Sequence, residues 1–382
     1  MSNKFDDIAP LYDHEVKQAI QDILVDPKFE HAVRYIMPNI SWDDFSAAMS
    51  AYNTKEDFQS EMIYNTVWML GRKSTTDLRG ENWDNIDRSV EHLFLSNHRD
   101  IVLDAGFLNI LRYEQGLPTT EIAIGDNLLI HPWIEKLVRL NKSFLVRRGL
   151  GVREQLIASK HMSEYIHYAI TTKGESVWMA QREGRAKDAD DRTQISLLKM
   201  LALSPEKVSF IDSIKELNII PISISYEFDP CDYLKAKEFQ LKRDNPEYKK
   251  SQRDDLLNME IGILGLKGNV VFNFGTCINP ELDKITETDK RVQVEIVAKI
   301  IDRAIHSNYK IFAGNYIAYD LLYEGNKFSD KYTAEDVDKF ETYLKKQIEK
   351  IDLDYVDFEF CRHKMLIMYS NVLKNHIVAK GE

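Results

Sequence analysis

From residue 91 onward the chain alternates short runs rich in β-branched and aromatic residues with amphipathic stretches several helical turns long. The runs are "HLFLS", "EIAIG", "SFLVR", "SVWMAQ", "IIPISIS" and "NVVFNF"; between them lie "IVLDAGFLNILRY", "PWIEKLVRLN" and "VREQLIASKHMSEYIHYAI". Strands buried on both faces read as nearly continuous apolar runs. Interleaved with helical stretches, they predict α/β units around a largely buried sheet. Residues 1–80 instead carry helical spacing, as in "DHEVKQAIQDILVD" and "KEDFQSEMIYNTVWML", closing near the polar stretch "RKSTTDLRGENWDN". Beyond residue 311 the pattern is helical again, with Thr333 placed as N-cap ahead of "AEDVDKFETYLKKQIEKI". The expected organisation is a helical region over 1–80, an α/β domain over 81–310 and a helical region over 311–382, with no internal repeat.

Composition narrows the function. A net charge of −11 over 382 residues argues against general nucleic-acid binding, which carries a basic excess. Cys231, Cys277 and Cys361 are widely spaced and have no CxxC pair, so they read as reduced thiols of a cytosolic protein. No apolar run approaches the roughly 18 residues that span a bilayer. The expectation is a cytoplasmic protein, touching a membrane at its surface if at all.

The stretch "LSNHRDIVLDAG" contains His98, Arg99, Asp100 and Ile101, which match the opening of a protein-kinase catalytic loop. The rest of that machinery is missing. Only Gly71 and Gly80 precede His98, so there is no glycine-rich nucleotide cover, and Ala105 stands where the magnesium-binding Asn belongs. Read on its own chemistry, His98 follows a strand and precedes a helix. Asp100 suits the N-cap of that helix, and Asp104 lies one turn further on the same face. A histidine at a strand end beside a carboxylate is either a general base held by the acid or a surface histidine next to a capped helix. These residues alone leave both open.

Three further blocks carry potential chemistry. Arg147 and Arg148 follow "SFLV", where planar guanidinium groups suit bidentate phosphate recognition as well as a solvated loop. Glu183, Gly184 and Arg185 close another strand, Gly184 allowing a ligand near the backbone and Arg185 adding a cation. The acids behind them, Asp188, Asp190 and Asp191, lack the spacing of a calcium loop and read as a solvated loop. "NIIPISISYE", with Pro221, reads as a core strand that would line an acyl groove.

In this order (His-Asp after a strand, F-x-x-R-R, E-G-R, then an I-P-I strand ending Tyr226-Glu227), the blocks resemble those of the glycerol-3-phosphate and lysophosphatidate acyltransferase family. "LKGNVVFNFGTCI" is similar to the strand that often closes that domain, and the resemblance spans roughly residues 90–280. It implies a mixed sheet flanked by helices. It also implies transfer of a fatty acyl group from a thioester, acyl-CoA or acyl-carrier protein, to a hydroxyl of glycerol-3-phosphate in phospholipid synthesis. Acylation of lysophosphatidate or an amino-acid lipid is the alternative; a non-catalytic acyl- or lipid-binding protein is the rival. Carried over, His98 is the base, Asp104 or Asp100 its orienter, and Arg148, Glu183, Gly184 and Arg185 hold the phosphorylated acceptor, with Arg147 beside them. No metal, cofactor or covalent enzyme intermediate is implied. The family separates His and Asp by four residues, which would place the acid at Leu103; here five separate His98 from Asp104. One helical residue turns a side chain by about 100°, so this spacing sustains the non-catalytic rival. Between residues 136 and 160, Lys136, Arg139, Lys142, Arg147, Arg148, Arg153 and Lys160 face one acid, Glu154. That stretch is expected to meet the anionic donor or the inner membrane leaflet.

Overall fold

A computed structural model of the chain describes residues 4–204, 208–323 and 325–381. Its strands are β1 (Thr75–Glu81), β2 (Leu93–Ser96), β3 (Glu121–Gly125), β4 (Ser143–Val146), β5 (Val177–Ala180), β6 (Ile220–Tyr226) and β7 (Gly268–Phe274). They form one sheet in the order β1-β7-β6-β2-β5-β3-β4. All six apolar runs are strands, and the sheet is mixed and flanked by helices, as expected. β4, β3, β5, β2 and β6 run parallel, β7 is antiparallel to β6, and β1 is parallel to β7. The carboxyl ends of five strands therefore share one edge, where open α/β sheets bind ligands.

β1 corrects the sequence reading, because it occupies the polar stretch taken as the close of the helical region. At the sheet's border, ladder hydrogen bonds to β7 hold it while most of its side chains stay partly exposed. It therefore has no apolar run to detect. Arg79, paired with Asp77 and Glu81, places charges along this outer strand, which blunts pairing with other chains.

The central strand shows why the runs read as they do. Leu93, Phe94 and Leu95 are all fully buried. Leu93 and Leu95 pack with Val177, Met179 and the helix Lys290–Ser307 on one face. Phe94 packs with Phe107, Ile222, Phe272 and Phe274 on the other. Period-two alternation sends neighbours to opposite faces, and each such side chain contributes about 1.5–3 kcal/mol on burial.

The amino-terminal helices form their own core of Val16, Ile20, Phe29, Phe45, Met49 and Phe58 around Leu140. At the other end, Thr333 caps Ala334–Ile348 in a reciprocal box with Asp336, as its sequence position suggests. This helix and Phe358–Lys380 pack on Asp232–Asp244 through Phe340, Leu344, Met365 and Tyr369. Buried between them, Asp232 accepts hydrogen bonds from Tyr343 (2.7 Å), Tyr369 (2.8 Å) and Gln347 (2.6 Å). Burial, then the neighbouring Asp229, push its carboxyl up to about 6. A raised acid favours the folded state when protonated. Its contribution is complete below the ordinary value of 3.8 and is lost as pH rises through about 6. Wild-type stability measured against Asp232→Asn should therefore fall by about 3 kcal/mol between roughly pH 4 and pH 7. Parallel pH profiles for the two proteins would remove this role.

Candidate active site

β2 delivers its chain to the shared edge with little freedom. Beyond Ser96, the buried Asn97 donates to the Ile224 carbonyl (2.9 Å) and accepts from the Ile224 N–H (2.8 Å), fastening the exit of β2 to β6. His98 follows, its side chain 13% exposed and set edge-on to the Trp178 ring at 5.9 Å. Its Nδ1 lies 2.8 Å from Asp104 Oδ2. Among the described residues no hydrogen bond reaches its Nε2.

Asp104 is fully buried and fully occupied. Oδ2 also accepts from the backbone N–H of Arg99 (2.6 Å) and of Asp100 (3.0 Å), and Oδ1 accepts from the Tyr226 hydroxyl (3.0 Å). An acceptor taking this many donors fits an ionised carboxylate. The proton of neutral His98 then sits on Nδ1, and Nε2 offers a lone pair. Asp100 has a different task. Its Oδ1 accepts from Val102 N (2.9 Å) and Leu103 N (2.8 Å), satisfying the first turn of the helix Leu103–Glu114. Its Oδ2 is buried without a hydrogen-bond partner, against Gly262, where a Cβ would come within 2.4 Å. Burial, then the charge of Asp104, raise the Asp100 carboxyl above its ordinary value.

The five-residue spacing is absorbed before the helix. Residues 97–102 are loop and turn, wrapped around the Asp104 carboxylate, so the added residue does not rotate Asp104 away from His98.

The cations stand at neighbouring strand ends. Arg148, beyond β4, pairs with Glu183, beyond β5, and its N–H donates to Asp126 Oδ1 (3.1 Å) beyond β3. A Cβ on Gly125 would come within 2.6 Å of Arg148 Nε, so this strand end must be bare for the guanidinium to lie across it. Arg147 turns outward, donating to the Asp7 carbonyl at 3.2 Å. Gly184 has φ +66°, the left-handed backbone that favours glycine. Arg185 turns towards the helix Gln252–Leu264 and donates to Asn258 Oδ1 at 2.8 Å. Arg148 Nε and Arg185 Nη1 are buried without hydrogen-bond partners among the described residues.

Three sequence expectations need correction. The acids taken as a solvated loop form a strap held down at Asp191, which is fully buried, ion-paired with Arg99 (2.8 Å) and accepting from the Tyr309 hydroxyl (2.8 Å). Asp190 accepts from Asn375 (3.0 Å) and the Asp188 carbonyl from Asn371 (2.9 Å), both on the carboxy-terminal helix. Burial opposes the Arg99 charge, but Asp191, Tyr309, Asp229 and Asp104 outweigh it and hold its pKa above the ordinary value. Second, β6 is buried along its whole length and belongs to the core; only Tyr226 reaches the site. Third, three of the seven cations in the basic stretch are tied into the fold. Lys136 pairs with Asp22, Arg139 donates to the Ala9 (2.8 Å) and Asp6 (2.7 Å) carbonyls, and Lys142 binds Glu175 (2.6 Å) and the Thr119 carbonyl (3.1 Å).

Sequence reasoning gave no role to Trp178, Gly125, Asp126 or Tyr226. A tyrosine at the carboxyl end of a strand beside the histidine's strand was the one available signal.

A histidine locked to a buried carboxylate, with arginines at adjacent strand ends, has the parts of an acyl-transfer site, and residues 77–225 match the family model Acyltransferase. This stretch runs from β1 into β6 and holds His98, Asp104, Arg148 and Arg185. Among solved structures, the chain is similar to the 1-acyl-sn-glycerophosphate (LPA) acyltransferase PlsC from Thermotoga maritima, at 10% identity over 75% of this chain and 92% of that one, with a TM-score of 0.35. No curated protein matches the chain.

Proposed function

We propose that the chain is an O-acyltransferase of glycerolipid synthesis, moving a fatty acyl group from acyl-CoA or acyl-carrier protein to a hydroxyl of glycerol-3-phosphate. The observation that carries this reading is the His98–Asp104 contact at 2.8 Å, in which both carboxylate oxygens hold further donors while His98 Nε2 has no hydrogen-bond partner among the described residues. His98 Nε2 takes the acceptor's hydroxyl proton as its oxygen attacks the thioester carbonyl, and Asp104 stabilises the imidazolium that forms. The C–O bond forms, the C–S bond breaks as the tetrahedral intermediate collapses, and the thiolate leaves with the proton from Nε2. The extra residue between His98 and Asp104 no longer favours a non-catalytic protein, because the contact is made despite it.

Arg148 and Arg185, each with an unpartnered buried N–H, are the donors for the acceptor phosphate, with Glu183 orienting Arg148 and Gly184 turning the chain between them. Loss of a charge-assisted hydrogen bond costs about 1.5–3 kcal/mol. Arg148→Ala and Arg185→Ala should therefore each raise the acceptor KM roughly 10- to 100-fold, leaving the donor KM close to wild type. An unchanged acceptor KM in both variants would point to an unphosphorylated acceptor. The reaction itself is tested by radiolabelled acyl transfer from both donor types to glycerol-3-phosphate, lysophosphatidate and an amino-acid lipid. Absence of transfer to every acceptor defeats the proposal.

A further inference from the structure

We propose that residues 150–157 form the surface by which this protein rests on an anionic phospholipid bilayer. Beyond Arg148 the chain turns through Leu150 and Gly151 into the helix Val152–Tyr168, at the sheet edge that carries His98. There Leu150, Val152, Leu156 and Ile157 are 39%, 93%, 61% and 62% exposed. Val152 and Leu156 stand one turn apart on one helix face, and Arg153 and Ile157 one turn apart beside them. Exposed apolar side chains grouped in this way mark an interaction surface.

Charge selects the partner. In a chain of net charge −11, residues 147–160 hold four cations and one acid, Glu154; Arg148 is paired with Glu183 and Arg147 lies 3.9 Å from Asp126, so Arg153 is the cation set among the apolar residues. Glu154 is itself turned back onto the Gly151 N–H at 3.3 Å. Apolar residues bracketed by cations on an amphipathic helix suit the interface of an anionic membrane, where burial and electrostatic attraction add. A second copy of this chain fits less well. A two-fold contact would bring Arg153 and its neighbours close to their own counterparts, and like charges facing each other are unfavourable. A hollow of about 470 Å³ opens beside this helix, lined by Ile8, Leu145, Ile157 and Met162 and also by Asp7 and His161.

The inference deepens the acyltransferase reading, on which it rests for its purpose: a protein seated here turns the His98 edge towards the phase that holds lipid acceptors and products. The test measures binding and not transfer, so the two stand or fall separately. Full-length protein is sedimented with vesicles of phosphatidylcholine alone and of equal parts phosphatidylcholine and phosphatidylglycerol. Wild type should prefer the mixed vesicles. Val152→Ser combined with Leu156→Gln and Ile157→Gln should bind them at least tenfold more weakly, by the area and charge arguments above, and Arg153→Glu should erase most of the preference. Circular dichroism and melting temperature check that the triple variant folds; the single change Val152→Ser, at the most exposed site, provides a milder second measurement. Unchanged vesicle binding in the folded variants overturns the proposal. So does a wild-type dimer that the triple variant converts to monomer without loss of vesicle affinity, since the patch would then be a subunit contact. An inactive wild type that still binds vesicles through these residues would defeat the enzymatic reading and leave this one standing.

Discussion

His98→Ala is expected to lower kcat by about 10²–10⁴-fold, the range supplied by a positioned general base, with a melting temperature close to wild type. The two outcomes belong together because of where the ring sits. It is 13% exposed, it rests edge-on against Trp178 at 5.9 Å, and its one hydrogen bond goes to an acid with three other donors. Removing it opens space at the mouth of the site and leaves Asp104 satisfied by the Arg99 and Asp100 N–H groups and the Tyr226 hydroxyl. The structural loss is therefore small beside the chemical one. Steady-state kinetics with a saturating donor, paired with thermal unfolding, reads both quantities. Wild-type turnover in the variant would remove His98 from the mechanism. A large fall in melting temperature would show that the ring supports the fold instead.

Asp104→Ala should damage both activity and stability. The two backbone N–H groups and the Tyr226 hydroxyl would be left buried without an acceptor, at about 1–3 kcal/mol for each group that finds no water. A net loss of about 2–5 kcal/mol is expected, visible in denaturant unfolding. Asp104→Asn separates the two effects. It keeps one acceptor oxygen and the side chain's shape, but its amide places N–H donors where only acceptors fit, and the imidazole is driven towards the wrong tautomer. In serine-histidine-aspartate triads the same exchange costs about 10⁴-fold in kcat, and a loss of about 10²–10⁴-fold is expected here. Asp100→Asn is the control, because it retains the oxygen that caps Val102 and Leu103 and should keep most of the activity. If Asp100→Asn is inactive and Asp104→Asn is active, the two acids have exchanged roles.

Much of this architecture is written in the sequence, for a definite physical reason. β2, β5 and β6 are covered on both faces, so their burial is written in the sequence as unbroken apolar runs such as "LFLS" and "IPISIS". β1 escaped because backbone pairing at a border leaves only Leu78 as an apolar mark within "TTDLRGE". At the site, residue type and strand-end position were enough to single out His98, the two acids and the arginines. The capping role of Asp100 was legible, and with it the preference for Asp104 as the orienter; how Asp104 reaches His98 was not, since that depends on how residues 97–102 curl around one carboxylate rather than on helical spacing. Spacing counted along an ideal helix fails when the intervening residues are loop. Asp191 was hidden for another reason: its partners, Arg99 and Tyr309, lie far away along the chain, and an acid looks solvated until its cation is found.

The strap formed by Asp188, Asp190 and Asp191 has a consequence for how the protein responds to its medium. Dissolved ions reach exposed charges and weaken their attraction over a Debye length of about 8–10 Å at physiological ionic strength, but they screen buried pairs much less. The Arg99–Asp191 pair, with side chains 6% and 0% exposed, is therefore largely shielded from the electrolyte, whereas Lys136–Asp22, at 40% and 36%, is open to it. Within a segment whose sequence looks solvated, the contact to Asp191 is thus shielded from salt, while the half-exposed Arg192–Asp190 pair beside it stays open. The Arg99–Asp191 pair joins the residue next to His98 to the loop that carries Arg185, so their separation should hold from dilute buffer to concentrated salt while exposed pairs such as Lys136–Asp22 weaken.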